Sequence, residues 1–261
     1  MRERVDFESA CLIHHRVVGE QDAVVTVFSR RYGRLSLWVQ GKLSQPGSIP
    51  LFKPMLISWR SKGSSHQLIK LEVDSAYPTL LKAELTSEYL FSAFYVNELI
   101  QHFLPELADS SSLYDDYLWY LESMAQRVFI EPVLRIFERQ LLISSGWLND
   151  LSVDLLTGEA IRADAYYIAV NHEHYGVGVT LLRAEPQTYH SAQVSNEIEA
   201  TKTSQACRIL GATLIAFNSN NLSNQVSLNE VKGLMRWFIR CLLNGKPLKS
   251  RSLFKSFKLT L

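Results

Sequence analysis

The stretch "AVVTVFSRRYGRLSLWVQG", residues 23–41, decides how the first part of this chain folds. Two short runs rich in β-branched and apolar residues, "AVVTVFS" and "LSLWVQG", flank "RRYGR", whose glycine suits a tight turn. That is the pattern of a β-hairpin. Within the second run, Leu35, Leu37 and Val39 alternate with Ser36, Trp38 and Gln40, so one face is apolar and Trp38 belongs to the other. Outward from the hairpin, "CLIHHRVV" (11–18) precedes it as a strand, and "MLISWRS" (55–61) and "HQLIKLEV" (66–73) follow it. Between them, "GKLSQPGSIPLFKP" (41–54) carries three prolines and reads as a loop. Five short strands with one long loop suit a small barrel of the OB type, which binds single-stranded nucleic acid on a basic, aromatic-bearing face. Trp38 is the candidate stacking residue; alternation does not decide the side taken by Trp59.

Beyond Tyr77-Pro78 the period becomes helical. Helices are expected over 85–104, over 112–129 with Ser112 as a cap, and over 131–147 with Pro132 in the first turn and Gly146 at the end. Residues 148–186 break that pattern with "AYYIAVN" and "YGVGVTLL", a small strand-bearing insert. Helices are expected again from about 190 into the basic tail. The fold class is therefore α+β: a five-stranded OB barrel over 1–78, then a mainly α-helical domain over 79–261 that carries the insert.

The chain has 261 residues and a net charge of +1, but the charge is segregated. Residues 1–71 hold 11 Lys/Arg against 5 Asp/Glu, residues 72–230 hold 8 against 21, and residues 231–261 hold 8 against none. From Ala23 to Leu71 there are eight cations (Arg30, Arg31, Arg34, Lys42, Lys53, Arg60, Lys62 and Lys70) and no acid. Basic ends point to a polyanionic partner; the competing reading pairs them with the acidic middle of the same chain. No apolar run approaches the roughly 18 residues that span a bilayer, and the charged start lacks the apolar core of a secretion signal. Cys11, Cys207 and Cys241 are far apart. The expectation is a reduced, cytoplasmic protein without a membrane partner.

Catalytic motifs are missing: no phosphate loop, no dinucleotide fingerprint and no nucleophile elbow. Asp115 and Asp116 are adjacent and do not converge on a helix. His172 and His174 would share a strand face, but spacing supplies no third ligand, so no metal and no cofactor are expected.

The order of motifs resembles the RecO family of bacterial recombination mediators. The resemblance is carried by "HHRVVGE" and "VFSRRYGRLSLWVQGK", then "LFKP" and "FYVNEL", then "EPVLRIFERQLL" with "SGW", and finally "GKPLKSRSLFKSF" (245–257). It implies an OB barrel, a helical domain and no catalytic centre. It also implies binding of single- and double-stranded DNA, strand annealing, docking of the acidic tail of single-strand-binding protein, and joint action with RecR in loading RecA. Members of the family often carry a four-cysteine zinc site in the insert, and here that insert has no cysteine. The long loop offers only Lys42 and Lys53, so Arg30, Arg31, Arg34, Arg60, Lys62 and Lys70 would have to supply the barrel's DNA contacts. In the C-terminal segment, Lys246, Lys249, Arg251 and Lys255 would supply further contacts. Read as a helix from Lys249, that segment would dock Leu253 and Phe257 on the body. The partner tail is assigned to Val133, Leu134, Arg135, Arg139 and Leu142, unless Glu131 and Glu138 occupy Arg135. An RNA-binding OB protein is the alternative function, and a metal-dependent nuclease a more remote one.

Overall fold

Residues 4–85, 87–181, 207–222 and 224–253 are described in the computed structural model. The chain divides into two compact units, Met1–Ser145 with Pro247–Leu261, and Gly146–Lys246.

In the first unit, strands β1 (Arg4–Val17), β2 (Asp22–Ser29), β3 (Gly33–Gln40), β4 (Pro54–Lys62) and β5 (Ser65–Val73) close a barrel in the order β1-β2-β3-β5-β4. The β2–β3 hairpin pairs in continuous register from Asp22↔Gln40 to Ser29↔Gly33, while β3 meets β5 in parallel at Trp38↔Gln67. This arrangement fits an OB barrel. Its interior is filled by the alternate residues of the strands, among them Val25, Val27, Leu35, Leu37, Val39, Met55, Ile57 and Trp59. Trp59 is thus a core residue, edge-on to Tyr32 at 5.0 Å between ring centroids. β1 starts seven residues before the expected "CLIHHRVV", because a bulge lets its charged beginning pair with β4.

Helices α1 (Pro78–Lys82), α2 (Ser87–Phe103), α3 (Ser111–Ala125) and α4 (Ile130–Ser144) follow. Ser112 is not the cap of α3. Ser110 holds that position and turns its hydroxyl to the Ala108 carbonyl, while Asp109 accepts from the amide and hydroxyl of Ser111. The helices cover one side of the barrel. Phe28 on β2 is fully buried edge-on against Tyr114 and Tyr117 of α3. Cys11 on β1 lies against the Tyr114 hydroxyl, and burial pushes its thiol up to about 12. From the "FYVNEL" stretch of α2, the Asn97 amide donates to the Leu12 and Ile13 carbonyls of β1, and its oxygen accepts from the Tyr117 hydroxyl. The neighbouring Glu98 caps the start of a short helix at 249–253, accepting from the amides of Lys249 and Ser250 and from the Ser250 hydroxyl.

The second unit has a three-stranded sheet, β7 (Gly176–Leu181), β6 (Tyr166–His172) and β8 (Arg208–Leu210), with helices α5 (Gly211–Asn218) and α6 (Gln225–Leu242). The expected resumption of helix near 190 lies outside the described residues, and β8 was not legible. The insert is stapled by Asp154, which is nearly fully buried. Its carboxylate accepts from the amides of Leu156, Thr157 and Leu181 and from the Thr180 hydroxyl. Burial works against its charge, but those donors outweigh burial and hold the carboxyl below its ordinary range.

Candidate nucleic-acid interface

Around Trp38, residues of four barrel strands line up in one cross-strand row. Cross-strand pairing aligns Val24 of β2 with Trp38 of β3, Trp38 with Gln67 of β5, and Gln67 with Arg60 of β4. Leu35, Leu37 and Val39 are buried as the alternation requires, and Trp38 is 36% exposed. The polar groups around the indole are tied together. Arg60 donates through Nε and one terminal nitrogen to Gln67 Oε1 at 3.0 and 2.7 Å. Gln67 donates to Gln40 at 3.2 Å, and Gln40 to Asp22 at 3.0 Å. Lys42 is exposed in the 3-10 turn Gly41–Ser44 that follows β3. Because Arg60 is bound to a neutral amide, its positive charge stays available to an anion. An exposed aromatic ring in one cross-strand row with Arg60, on a strand followed by the exposed Lys42, suits a stacked base with a phosphate nearby.

Most of the other cations expected on the barrel are engaged by the protein itself. Arg30 pairs with Asp115 of α3 at 2.7 Å. Arg31 pairs at 2.6 Å with Glu8, whose buried carboxylate also takes the Arg31 amide and the Ser29 hydroxyl. Arg34 donates to the Leu104 carbonyl at 3.0 Å and pairs with Glu106 at 3.2 Å. The ammonium of Lys53 donates to the carbonyls of Leu80, Leu81 and Ala83 at the end of α1, and burial lowers its pKa. Lys70 pairs with Glu72. The side chain of Lys62 lies outside the described residues.

In the C-terminal segment Lys246 and Lys249 are exposed, and Lys255 and Phe257 lie outside the described residues. The docking residue is Leu248, which is buried, and not Leu253, which is 58% exposed. With Glu98 capping the helix at its first turn, the residue just ahead of it packs inward. Arg251 donates to the Tyr95 hydroxyl at 3.2 Å, its guanidinium 5.3 Å from the ring centroid.

On α4, Val133, Arg135, Arg139 and Leu142 are buried and Leu134 is half-buried. Arg135 reaches both oxygens of Glu138 at 2.8 and 2.7 Å, and the Tyr95 hydroxyl donates to the same carboxylate at 2.5 Å. Burial opposes the charge on Arg135, and Glu138 outweighs it, raising the pKa; burial pushes the Tyr95 phenol up as well. The structure therefore joins two groups that the sequence kept apart: the α4 arginine and the tail arginine meet at Tyr95.

In the second unit, His172 and His174 do not share a strand face. His172 ends β6, its Nδ1 accepts the His174 amide at 3.2 Å, and its ring lies tilted against Tyr175 with 4.8 Å between centroids. Among the described residues no three His, Cys, Asp or Glu side chains converge as metal ligands. Sequence reasoning passed over Arg236 and Arg240, exposed and four apart on α6; the signal was their spacing with Lys232 in "KGLMRWFIR".

Residues 86–252 match the family model "Recombination protein O C terminal". DNA repair protein RecO of Vibrio cholerae is 31% identical over 249 residues, covering 94% of this chain and 91% of the relative. The proteins of the same name from Vibrio parahaemolyticus and Nitrosococcus oceani are each 31% identical, covering 95% and 98% of this chain and 92% and 95% of their own lengths. Likeness at that level along nearly the whole chain, on a barrel joined to helices, is more than shared architecture gives: the chain belongs to the RecO family of DNA repair proteins.

Proposed function

We propose that this protein is a non-enzymatic recombination mediator. It holds single-stranded DNA on the open barrel face, binds duplex DNA and anneals complementary strands. It docks the acidic tail of single-strand-binding protein and acts with RecR in loading RecA, in the cytoplasm. The observation that carries this reading is the exposed Trp38, in one cross-strand row with Gln67 and Arg60 and four residues before the exposed Lys42. The thiols of Cys11, Cys207 and Cys241 are all raised by burial, which disfavours a thiolate nucleophile. Asp154 supports a metal-free insert, since it supplies by hydrogen bonds the cross-linking that a zinc ion would otherwise provide.

The test is titration of the full chain against fluorescent single-stranded DNA. Trp38→Ala should weaken binding by about 1–3 kcal/mol while leaving thermal stability close to that of the unaltered protein. Equal affinity of the two proteins would remove Trp38, and with it the barrel face, from the reading.

The tail-docking part rests on α4 and requires Arg135 to exchange Glu138 for the incoming carboxylate. Glu138→Gln should then raise affinity for a peptide with acidic residues and an apolar carboxyl-terminal residue. Affinity unaltered by that change would take α4 out of the proposal.

A further inference from the structure

Phe7 is held in a left-handed conformation, and its side chain gains little from the fold. Asp6 and Phe7 form the bulge of β1: Val5 pairs with Trp59 and Glu8 with Ile57, so the two residues stand opposite Ser58. Phe7 has φ 54°, in the left-handed region that costs a bulky L-residue roughly 1–2 kcal/mol. Its amide is satisfied by the Ser58 hydroxyl at 3.2 Å. Its side chain gains little by burial, being 58% exposed while Val5 and Glu8 on either side of the bulge are buried. A bulge that turns an aromatic ring out to solvent is the kind of local strain found where a residue is aimed at a ligand.

The surroundings indicate what that ligand is. Lys70 Nζ lies 5.3 Å from the Phe7 ring centroid and fixes the ring's place on the surface. Alongside, strand pairing sets Arg4 directly opposite Arg60, Arg60 opposite Gln67, and Gln67 opposite Trp38. Two arginines directly opposite each other are unfavourable in a sheet unless an anion answers them. Asp6 pairs with Arg4 and Glu72 with Lys70, which leaves Arg60 as the excess charge. From Trp38 over Gln67 and Arg60 to Arg4 is three interstrand steps, about 14 Å, and Phe7 lies three residues further along β1, about 10 Å, so the path between the two rings by way of β5 and β4 is about 17–24 Å. A few nucleotides span that distance, within the roughly 4–16 that one OB barrel accommodates.

We propose that Phe7 is a second base-stacking platform: a single strand leaving Trp38 crosses β5 and β4 over Gln67 and Arg60 and stacks a further base on Phe7. This rests on the reading of the barrel as the single-strand site. Stacking releases no counterions, so Phe7 contributes affinity without salt dependence.

The experiment compares Phe7→Ala, Phe7→Trp and Trp38→Ala in the full chain, using a fluorescent oligothymidylate and a duplex of equal length across a salt series. Phe7→Ala should weaken single-strand binding about 5- to 150-fold, keep the salt slope and leave duplex binding unchanged. Phe7→Trp should bind like the unaltered protein and show additional tryptophan quenching on the oligothymidylate. The proposal is overturned if Trp38→Ala loses affinity while Phe7→Ala binds normally and Phe7→Trp gains no quenching. Equal losses on single strand and duplex overturn it too, because stacking needs unpaired bases. If Trp38→Ala also binds normally, the barrel reading fails, and the Phe7 platform with it.

Discussion

The side of the barrel against the helices and the side facing solvent both carry cations, yet they use them differently. On the helix side, Arg30, Arg34 and Lys53 hold Asp115, Glu106 and the carbonyls of α1, and Arg31 neutralises the buried Glu8. On the open side, Arg60 is held by an uncharged glutamine, and Lys42 is exposed. Arg30, Arg34 and Lys53 fix the barrel on its helices, and Arg31 answers Glu8 within the barrel. Arg60, by contrast, is in no ion pair among the described residues, although Arg4 and Lys70 near it pair with Asp6 and Glu72. A count of basic residues overstates the charge a surface can offer, because each ion pair removes most of one cation's long-range field.

The largest effect that sharpens this contrast belongs to the covered side. Gly33 has φ +58°, and a Cβ there would meet the Ala108 carbonyl at 2.6 Å and the Pro105 carbonyl at 3.2 Å. Gly33→Ala should therefore cost about 2–4 kcal/mol in a urea titration, the combined cost of a left-handed alanine and a backbone clash. A loss under about 0.5 kcal/mol would mean that the turn and the loop after α2 are not tightly joined. A smaller effect is expected where the C-terminal segment meets α2. Glu98→Ala removes the acceptor for two amides and a hydroxyl and should cost about 1–3 kcal/mol. It should also open the chain beyond residue 246 to limited proteolysis. An unchanged digestion pattern would show that Leu248 alone holds the segment.

How far the sequence disclosed this depends on the range of each interaction. The strands of the hairpin, the outward Trp38 and the ends of α2 and α4 follow from local periodicity, from Pro105 and from Gly146, and all were legible. The fate of Arg30 and Arg34 was not, since their partners Asp115 and Glu106 lie more than seventy residues away and only the closed barrel brings them near. Arg135 is an intermediate case. Its i,i+3 partner Glu138 could be read as a competitor, but the burial that makes the pair strong comes from Tyr95 on another helix. The first residues of β1 were hidden because the bulge breaks the alternation that reveals a strand. Likewise, no spacing rule ranked Leu248 above Leu253; the capping carboxylate of Glu98 sets which of them turns inward.

Under the proposed function the face of the barrel around Trp38, and not the side bound to the helices, meets the phosphates. This is tested most directly by single-stranded DNA binding across a salt series for two double variants, Lys42→Gln with Arg60→Gln and Arg30→Gln with Arg34→Gln. The first pair should lower the slope of log affinity against log salt by about 1.4, near 0.7 for each lost phosphate contact, and the second should leave it unchanged. A slope lowered by the second pair and not by the first would contradict that assignment.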